Sequence, residues 1–599
     1  MPAQSKAQLP LGEIDRPRNI GNPELGWASD AIAQLMAKLD FKYVSLVPGA
    51  SFRGLHDSLV NYLGNSNPQM VVCLHEEHAV AIAHGYAKVT DEPMAVCLHT
   101  NVGLMHATMA IFNAWCDRKP VMMFGANGPV DAAERRPWIE WIHSAQDQGA
   151  LIRDYTKWDD QPASVPAAFE SILRAYQIAR TPPYGPVYVC LDAGLQESKL
   201  PHEAPLPDIG RYAPMPPQGG DPGLVGKAAD WLLSAKRPVI LLGRVSRSQE
   251  DWDRRVALAE ALGATVLTSL HDPSGFPTDH PLHPVGPRFR PTPDTNAILR
   301  NADVILSLDW LDLGGYLKTS FGSHQVPAKI INCTVDPYIH KGWSMDYQML
   351  PPADLTILSP PDVVVKGLLG EVEKRGKRNG AKTPGQSAKR TPRSLKTTSN
   401  AAKGPMGLVD LAACLRDTFV DRPVSYISLP LGWPGDALEF RTPLCHLGTN
   451  GGGGVGGGPG IAVGAALGLQ GRGRIPVALV GDGDFLMGAN ALWTASHARL
   501  PLLIVVANNR AYYNDVVHQE RVAKDRARPV ENKWIGQHLQ DPPVDLGLIA
   551  RAQGFDTEDP IEGTEALAEA LRRGAAAVER GGRYFIDVRI DPEIQREGH

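Results

Sequence analysis

The feature that most constrains the fold is an alternation between short apolar runs and longer helical stretches, repeated along most of the chain. The runs are rich in β-branched residues and are bounded by Gly or Pro. This alternation predicts parallel sheets covered by helices on both faces. The predicted strands form an early group (43–47, 70–74, 94–98, 121–124, 187–191), a middle group (239–242, 265–267, 304–308, 329–331) and a late group (425–428, 476–480, 502–507, 584–588).

The three groups predict three doubly wound α/β domains in a chain of 599 residues, over 20–200, 220–370 and 405–599. One segment, residues 374–403, carries ten Lys and Arg, no Asp or Glu and no apolar periodicity. Such a segment has nothing with which to build a core. We therefore expect a basic flexible linker over 371–404.

Composition excludes several classes of function. A net charge of −5 is too mild for a protein whose main partner is nucleic acid. The sequence contains no apolar stretch long enough to span a membrane, and its N-terminus does not resemble a signal peptide. The seven cysteines are scattered without a CxxC pair, which favours a reducing, cytoplasmic location.

The strongest chemical signal lies in the late domain, where two predicted strands end in polar residues. One runs into Gly481-Asp482-Gly483-Asp484, and the other ends in Asn508-Asn509. Because the carboxyl ends of parallel strands share one edge of the sheet, the acid and the amide should converge there. Oxygen ligands of this kind suit Mg²⁺, and the glycines allow close approach of a diphosphate.

The stretch from Gly481 to Asn509 resembles the GDG…NN motif of the thiamine-diphosphate-dependent enzymes. The resemblance implies that Mg²⁺ is bound by Asp482, Asn509 and the backbone carbonyl of Ala511. It also implies that Asp484 lies at the diphosphate. The other expected cofactor contacts in this domain are Gly481, Gly483 and Tyr512.

The early domain offers a candidate for the glutamate that activates the cofactor in this family. His75-Glu76, eight residues and then Gly85-Tyr86-Ala87 is similar to the family's H-E-x8-G-Y-A pattern. This register selects Glu76, whose carboxyl would favour the imino tautomer of the aminopyrimidine, and leaves Glu77 as a solvated helix residue. A zinc site is disfavoured because the two histidines of the motif are three residues apart rather than four.

A glycine-rich segment over 451–460 precedes the GDG motif. Counting back from Gly464, the resemblance places Val455 where the family carries an apolar residue that wedges under the cofactor. The segment also contains GxGxxG spellings. No predicted strand leads into them and no acidic residue follows at the required distance, so a dinucleotide site is disfavoured.

Within the family, the early domain is most similar to benzoylformate decarboxylase. Leu98-His99 through Gly103, followed by Asn113-Ala114-Trp115, matches its L-H-x-x-x-G…N-A-W stretch, which implies that His99 is the active-site histidine. The alternative is a loop histidine with a structural hydrogen bond. Pro48-Gly49-Ala50 matches a Pro-Gly-Ser turn, so Gly49 is expected at the cofactor, and Ala50 replaces the serine expected to hold the substrate carboxylate.

The substrate pocket is expected to include Ala50 and His99 and, after the paired asparagines, Asn514, Asp515 and His518. Buried polar groups need partners, so these three residues disfavour a plain phenyl pocket. Their partners would be parts of the substrate or neighbouring protein groups.

The resemblance implies a pyrimidine-binding domain with the catalytic glutamate, a central domain and a diphosphate-binding domain. It implies a thiamine diphosphate- and Mg²⁺-dependent lyase that decarboxylates a small-molecule 2-oxo acid to an aldehyde through an enamine. Alternatives are a carboligase resembling acetohydroxyacid synthase, a C–C lyase or hydrolase that releases no CO₂, and a non-catalytic scaffold. FAD in the central domain is possible but has no supporting motif. The family's two-subunit sites imply a homodimer or homotetramer with active sites at the interface.

Overall fold

The computed structural model of the chain describes residues 12–137, 142–202, 205–323, 325–343, 346, 348–376, 378, 395–398 and 401–594. It confirms three α/β domains, each built on a sheet whose strand pairs are all parallel. Apolar cores cover both faces of each sheet, as expected for buried parallel strands. None of the helices in these ranges has the length and apolar composition needed to cross a bilayer.

The early domain has a six-stranded sheet in the order β2-β1-β3-β4-β6-β5. Its strands are β1 Tyr43–Leu46, β2 Gln69–Val72, β3 Met94–Cys97, β4 Val121–Asn127, β5 Trp158–Asp160 and β6 Val187–Asp192. Its helices are α1 Ala28–Lys38, α2 Arg53–Asp57, α3 Glu76–Thr90, α4 Thr100–Cys116, α5 Val165–Arg180 and α6 Ala193–Glu197.

The central domain has a five-stranded sheet in the order β11-β10-β9-β7-β8. Its strands are β7 Pro238–Leu242, β8 Thr265–Thr268, β9 Val304–Leu308, β10 Lys329–Cys333 and β11 Leu355–Ile357. Its helices are α7 Pro222–Ser234, α8 Gln249–Leu262, α9 Pro293–Asn301, α10 Leu313–Phe321 and α11 Pro361–Arg375. Local sequence explains several helix starts, since Asp221 and Ser248 cap α7 and α8 with their side chains.

The late domain also has five strands, in the order β12-β13-β14-β16-β15. They are β12 Val424–Tyr426, β13 Ile475–Gly481, β14 Leu502–Asn508, β15 Asp556–Thr557 and β16 Arg583–Arg589. The helices are α12 Leu408–Phe419, α13 Gly457–Leu469, α14 Asp482–Gly488, α15 Ala491–His497, α16 Tyr513–Asp525, α17 Leu546–Ala552 and α18 Thr564–Glu579.

Every strand predicted from the apolar runs overlaps an observed strand, and three further strands were not predicted. The three are β5, β11 and β15, each of two or three residues and each at the edge of its sheet. An edge strand of this length buries too few side chains to produce an apolar run in the sequence.

The predicted linker over 371–404 is too long at both ends. Residues up to Arg375 belong to α11, and Arg378 donates hydrogen bonds to the carbonyls of Leu262 and Ala235. On the other side, Thr398 bonds to Asp410 through its backbone N–H and its hydroxyl, each at 2.8 Å. Most of the basic stretch, 379–394, lies outside the described residues.

Helix α3 of the early domain packs against α13 of the late domain along a seam of small residues. A Cβ on Gly85 would lie 2.1 Å from the carbonyl oxygen of Ile461, and one on Gly464 would lie 1.9 Å from that of Ile82. Neither glycine could be replaced without separating the two helices. One apolar core runs through this seam and includes side chains of both domains.

The carboxyl ends of the central strands are closed by a network of ion pairs. Arg244 follows β7 and contacts Asp309, which follows β9, with Nε 3.0 Å from Oδ2. Arg244 also bonds to Asp336, which follows β10, and Arg118 of the early domain reaches Asp336 at 2.8 Å. The network therefore neutralises this edge and ties the central domain to the early one.

Candidate active site

Glu76 is the first residue of α3 and follows the short loop after β2. The helix start is fixed by His75, whose Nδ1 accepts a hydrogen bond from the N–H of Glu77 at 3.2 Å. The Glu76 side chain is buried, and its Oε2 lies 3.0 Å from Nδ1 of His106 on α4. A Cβ on Gly103 would come within 3.2 Å of Oε1, so the glycine leaves room for this carboxylate.

The prediction that Glu77 is a solvated helix residue is wrong. Its side chain is half-buried, and burial together with the charge of Asp484 raises its pKa. The two glutamates therefore face different surroundings. Glu77 faces the late domain of its own chain, whereas Glu76 faces α4.

His99 lies between β3 and α4, and both of its ring nitrogens have partners. Nδ1 lies 2.9 Å from the hydroxyl of Ser51, and Nε2 lies 3.2 Å from Nδ1 of His143. Burial, then the nearby charge of His143, lowers the pKa of His99, and the charge of Glu76 opposes this. His99 is therefore a mainly neutral imidazole at pH 7.

The turn after β1 brings Gly49, Ala50 and Ser51 against this histidine. A Cβ on Gly49 would lie 2.6 Å from the Cβ of His99, so only glycine fits at this position. The hydroxyl that Ala50 lacks is supplied one residue later, by buried Ser51, and it is directed at Nδ1 of His99.

The proposed metal ligands come together at the carboxyl ends of β13 and β14. The N–H of Ala511 donates to Oδ2 of Asp482 at 3.2 Å and to Oδ1 of Asn509 at 2.9 Å. Asn508 turns the other way and donates to Asp587 at 2.9 Å, so the second asparagine of the pair faces Asp482.

These ligands fit a hard divalent cation. Asp482 is only 4% exposed, and burial raises its pKa to about 6, while the groups that lower it are backbone N–H donors. A buried carboxylate is stabilised most strongly by a cation, and the all-oxygen donors match Mg²⁺. A cavity of about 150 Å³ borders Asp482 on its inner side, with Arg510 and Arg589 in its wall.

The glycine-rich segment ends beside α14. Gly456 has a φ of +105°, a conformation that L side chains rarely adopt, and it follows Val455, which is 46% exposed. The half-buried Asp484 accepts hydrogen bonds through its carboxylate from the N–H groups of Gly456 and Gly458, at 2.6 and 3.3 Å. Asp484 thus anchors the loop that presents Val455.

Tyr512 lies against the GDG turn, since a Cβ on Gly483 would lie 2.7 Å from its ring. The expectation that Asn514, Asp515 and His518 are buried polar groups is corrected by the structure. All three lie on the exposed face of α16. The buried positions of that helix are Val516, Val517, Glu520 and Ala523, so a desolvation cost does not apply to the three polar residues in this chain.

The structure thus forms two clusters from the predicted residues. One contains Gly49, Ala50, Glu76 and His99, at the ends of the adjacent strands β2, β1 and β3. The other contains Asp482, Asp484, Asn509, Ala511 and Tyr512. His143 was not among the predicted residues, because no spacing in the sequence links it to His99.

Family models and curated relatives match this arrangement. The N-terminal and C-terminal TPP binding domains of thiamine pyrophosphate enzymes match residues 27–151 and 431–588, and their central domain matches 225–356. A probable acetolactate synthase large subunit of Methanocaldococcus jannaschii is 25% identical, over 94% of this chain and 92% of its own. A probable 2-ketoarginine decarboxylase of Pseudomonas aeruginosa is 25% identical, over 91% of each.

Solved structures show the same fold. Benzoylformate decarboxylase from Polynucleobacter necessarius aligns with a TM-score of 0.76 at 21% identity, over 95% of this chain and all of its own. A thiamine diphosphate-dependent 4-hydroxybenzoylformate decarboxylase of Rhodococcus jostii aligns with a TM-score of 0.74 at 21% identity, over 95% and 99%. With matching models in all three domains, the chain belongs to the family of thiamine pyrophosphate enzymes.

Proposed function

We propose that the protein is a thiamine diphosphate- and Mg²⁺-dependent decarboxylase that converts a 2-oxo acid to an aldehyde. The observation that carries the proposal is the placement of the Glu76 carboxylate near the His99 imidazole, at neighbouring strand ends and both beside Gly103. Decarboxylation replaces CO₂ by a proton, so it requires a proton-carrying group beside the reacting carbon. A histidine that is held on both ring nitrogens meets that need.

When bound, thiamine diphosphate supplies the carbon nucleophile and holds the electron pair that CO₂ leaves behind. Asp482, Asn509 and the carbonyl of Ala511 would hold Mg²⁺ at its diphosphate, and Val455 would support its rings. Glu76 would exchange a proton with the aminopyrimidine. His99 would take up a proton along its hydrogen bond to Ser51 or His143 and pass it to the carbon from which CO₂ has left, which returns the ring to its neutral form.

We further propose a homodimer or homotetramer in which a second copy completes each site. Apolar side chains next to Glu76, namely Leu74 and Met105, are exposed. So are Val455, Met487 and Tyr512 beside the metal ligands. Solvent-exposed apolar patches at both halves of a site are what a partner subunit would cover.

The main test is NMR analysis of the products formed by the purified enzyme with thiamine diphosphate and Mg²⁺. Pyruvate, benzoylformate, a polar-substituted aryl 2-oxo acid and 2-ketoarginine are presented separately, the last because of the Pseudomonas aeruginosa relative. We expect an aldehyde with loss of CO₂. The best substrate will also show whether Asn514, Asp515 and His518 contribute to specificity.

A carboligase is the second candidate, favoured by the similarity to acetolactate synthase large subunits. It would give an acyloin or acetolactate in the same assay. A flavin absorption band in the purified protein would support this candidate. Turnover of none of the four acids, with the cofactor bound, would instead indicate a C–C lyase acting on another substrate.

The role of Glu76 is tested by Glu76→Gln, which keeps the shape of the side chain and removes its charge. We expect turnover to fall by about 10³-fold or more, because the cofactor would lose the group that promotes its activation. The circular dichroism spectrum should not change. Full activity of this variant would refute the assignment.

A further inference from the structure

His143 lies on the loop that follows β4, far in sequence from every motif, yet it contacts His99. The two rings are 5.3 Å apart at 77°, in an edge-to-face arrangement. Nδ1 of His143 meets Nε2 of His99 at 3.2 Å. Ser51 occupies the other nitrogen, so the chain places Ser51, His99 and His143 in one hydrogen-bonded row.

The loop that carries His143 is anchored at several points. The carbonyl of His143 accepts from the N–H of Asn101 at 3.4 Å, which ties it to the start of α4. Two residues on, the carbonyl of Ala145 accepts from the Asn127 side chain at 3.0 Å. Buried Gln148 donates to Ala126 and Asn127 at the end of β4. His143 is therefore held in place rather than resting on the surface by chance.

The backbone is strained at Thr100, the residue that follows His99. Thr100 has a φ of +41°, a value that is rare for a β-branched residue. Its buried hydroxyl and the side-chain oxygen of Asn101 make no hydrogen bond to any of the described residues. Strain and unsatisfied polar atoms of this kind concentrate at functional sites, where the geometry of a side chain outweighs local stability.

We propose that His143 is a positioning residue for the reaction, fixing the ring orientation and the tautomer of His99 from Nε2 while Ser51 holds Nδ1. This inference rests on the proposed function, in which His99 handles the proton. A hydrogen bond between two imidazole nitrogens requires a proton on one of them and a lone pair on the other. The tautomer of His143 therefore decides which nitrogen of His99 carries its proton.

The polar groups around His99 come from four parts of the early domain. His143 on the β4 loop disfavours a positive charge on His99, and Glu76 at the start of α3 favours one. His106 on α4 lies behind Glu76, 3.0 Å from its Oε2, and Ser51 on the β1 loop is neutral. Because burial is the largest cause of the low pKa of His99, removal of His143 should raise that pKa but leave it below the ordinary value.

The experiment compares two substitutions of His143. His143→Phe keeps a ring and removes both nitrogens. His143→Asn keeps a hydrogen-bonding group near the position of Nδ1 and removes the ionisable ring. His497→Gln is the matched control, since His497 pairs with Asp15 outside both clusters. Each protein is labelled with ¹³Cε1-histidine, titrated by NMR, and assayed for kcat and KM; loss of a signal in His99→Gln assigns His99.

We expect an upward shift of the His99 midpoint in both His143 variants and none in His497→Gln. The kcat of His143→Phe should fall by about tenfold to a hundredfold with KM nearly unchanged, and His143→Asn should recover part of that loss. An unchanged His99 midpoint, or an unchanged kcat in an active enzyme, would overturn the inference. The titration needs no turnover, so it still tests His143 if the proposed decarboxylation fails.

Discussion

The late and central domains share a five-stranded parallel sheet of the same kind but differ at the carboxyl ends of their strands. In the late domain, Asp482 and Asn509 face an open edge and are bonded to backbone N–H groups. In the central domain, Asp309 and Asp336 meet the guanidinium of Arg244, and Thr334 bonds to Asp309 at 2.6 Å. Arg510 and Arg589 line the cavity beside Asp482, but no described side chain forms an ion pair with this acid, whereas Arg244 pairs with both acids of the central edge.

The difference shows that sheet topology makes the crevice but the residues at the strand ends decide whether it binds a ligand. An open parallel sheet offers the same position in both domains. Arginine closes that position in the central domain by neutralising the acids. In the late domain, Asp482 has no ion pair among the described residues, and the glycines leave the position accessible, as the proposed metal and diphosphate site requires.

The largest effect is expected from Asp482→Asn, which tests whether the late edge binds the metal. Loss of a charged ligand should weaken Mg²⁺-dependent binding of thiamine diphosphate by more than about a hundredfold and abolish turnover. Calorimetric titration with the cofactor measures this directly. Asp309→Asn, the matching change at the central edge, should leave cofactor binding intact. Tight binding by Asp482→Asn would show that the late edge is not the metal site.

The second effect is on stability and concerns Arg244→Met. The change leaves Asp309 without its cation and Asp336 with Arg118 alone, and breaking these buried ion pairs should cost about 3 kcal/mol of unfolding free energy. Burial favours the neutral form of Asp336, but Arg244 and Arg118 hold its pKa below the usual value. The stabilisation is therefore present above the unfolded pKa and lost as pH falls. Denaturant unfolding should show nearly the full loss from pH 8 down to pH 4 and a smaller one only below pH 4, as the pH approaches the lowered folded-state pKa of Asp336.

The third effect is on kcat and comes from Val455→Ala, which tests the late-domain site. If Val455 supports the bound cofactor, its truncation should lower kcat by about tenfold while the cofactor still binds. Val522 on α16 is the control, because it is 41% exposed and lies outside the site, and its replacement by Ala should not change kcat. Equal kcat values for the two variants would remove Val455 from the mechanism.

The smallest effect concerns Asp272, a buried acid near Arg244. Burial raises its pKa to about 7, and its Oδ2 makes no hydrogen bond to any described residue. Because the pKa is raised from 3.8 to about 7, this carboxyl destabilises the fold increasingly as pH rises between those two values and by a constant amount above them. Asp272→Asn should therefore add about 1 kcal/mol of unfolding free energy at pH 8, progressively less as pH falls, and almost nothing at pH 4. An equal gain at both pH values would contradict this origin.

Most of the fold was predictable because long buried strands leave apolar runs in the sequence. The GDG…NN pair and the register around Glu76 could also be identified in the sequence, because each motif follows a predicted strand. The exposure of Asn514, Asp515 and His518 was not predictable from spacing. That property depends on which face of α16 packs against the sheet, and the buried face carries Val516 and Val517.

His143 illustrates the part of a site that sequence reasoning does not reach. Its place beside His99 arises from a loop after β4 that is fixed by Asn127 and Gln148, not from any repeat or motif. Ser51 was easier to suspect from the sequence, because it follows Ala50, which replaces the serine of the family's Pro-Gly-Ser turn. Only the coordinates show that its hydroxyl turns toward His99.

The glycine seam between α3 and α13 has a consequence for how the gene could be divided. The outer domains share a core across Gly85 and Gly464, on helices that lie on either side of the basic stretch at 379–394 in the sequence. A gene interrupted within this stretch would encode two polypeptides, each carrying half of the seam. Synthesised together, they should recognise each other through these helices and restore the enzyme by fragment complementation.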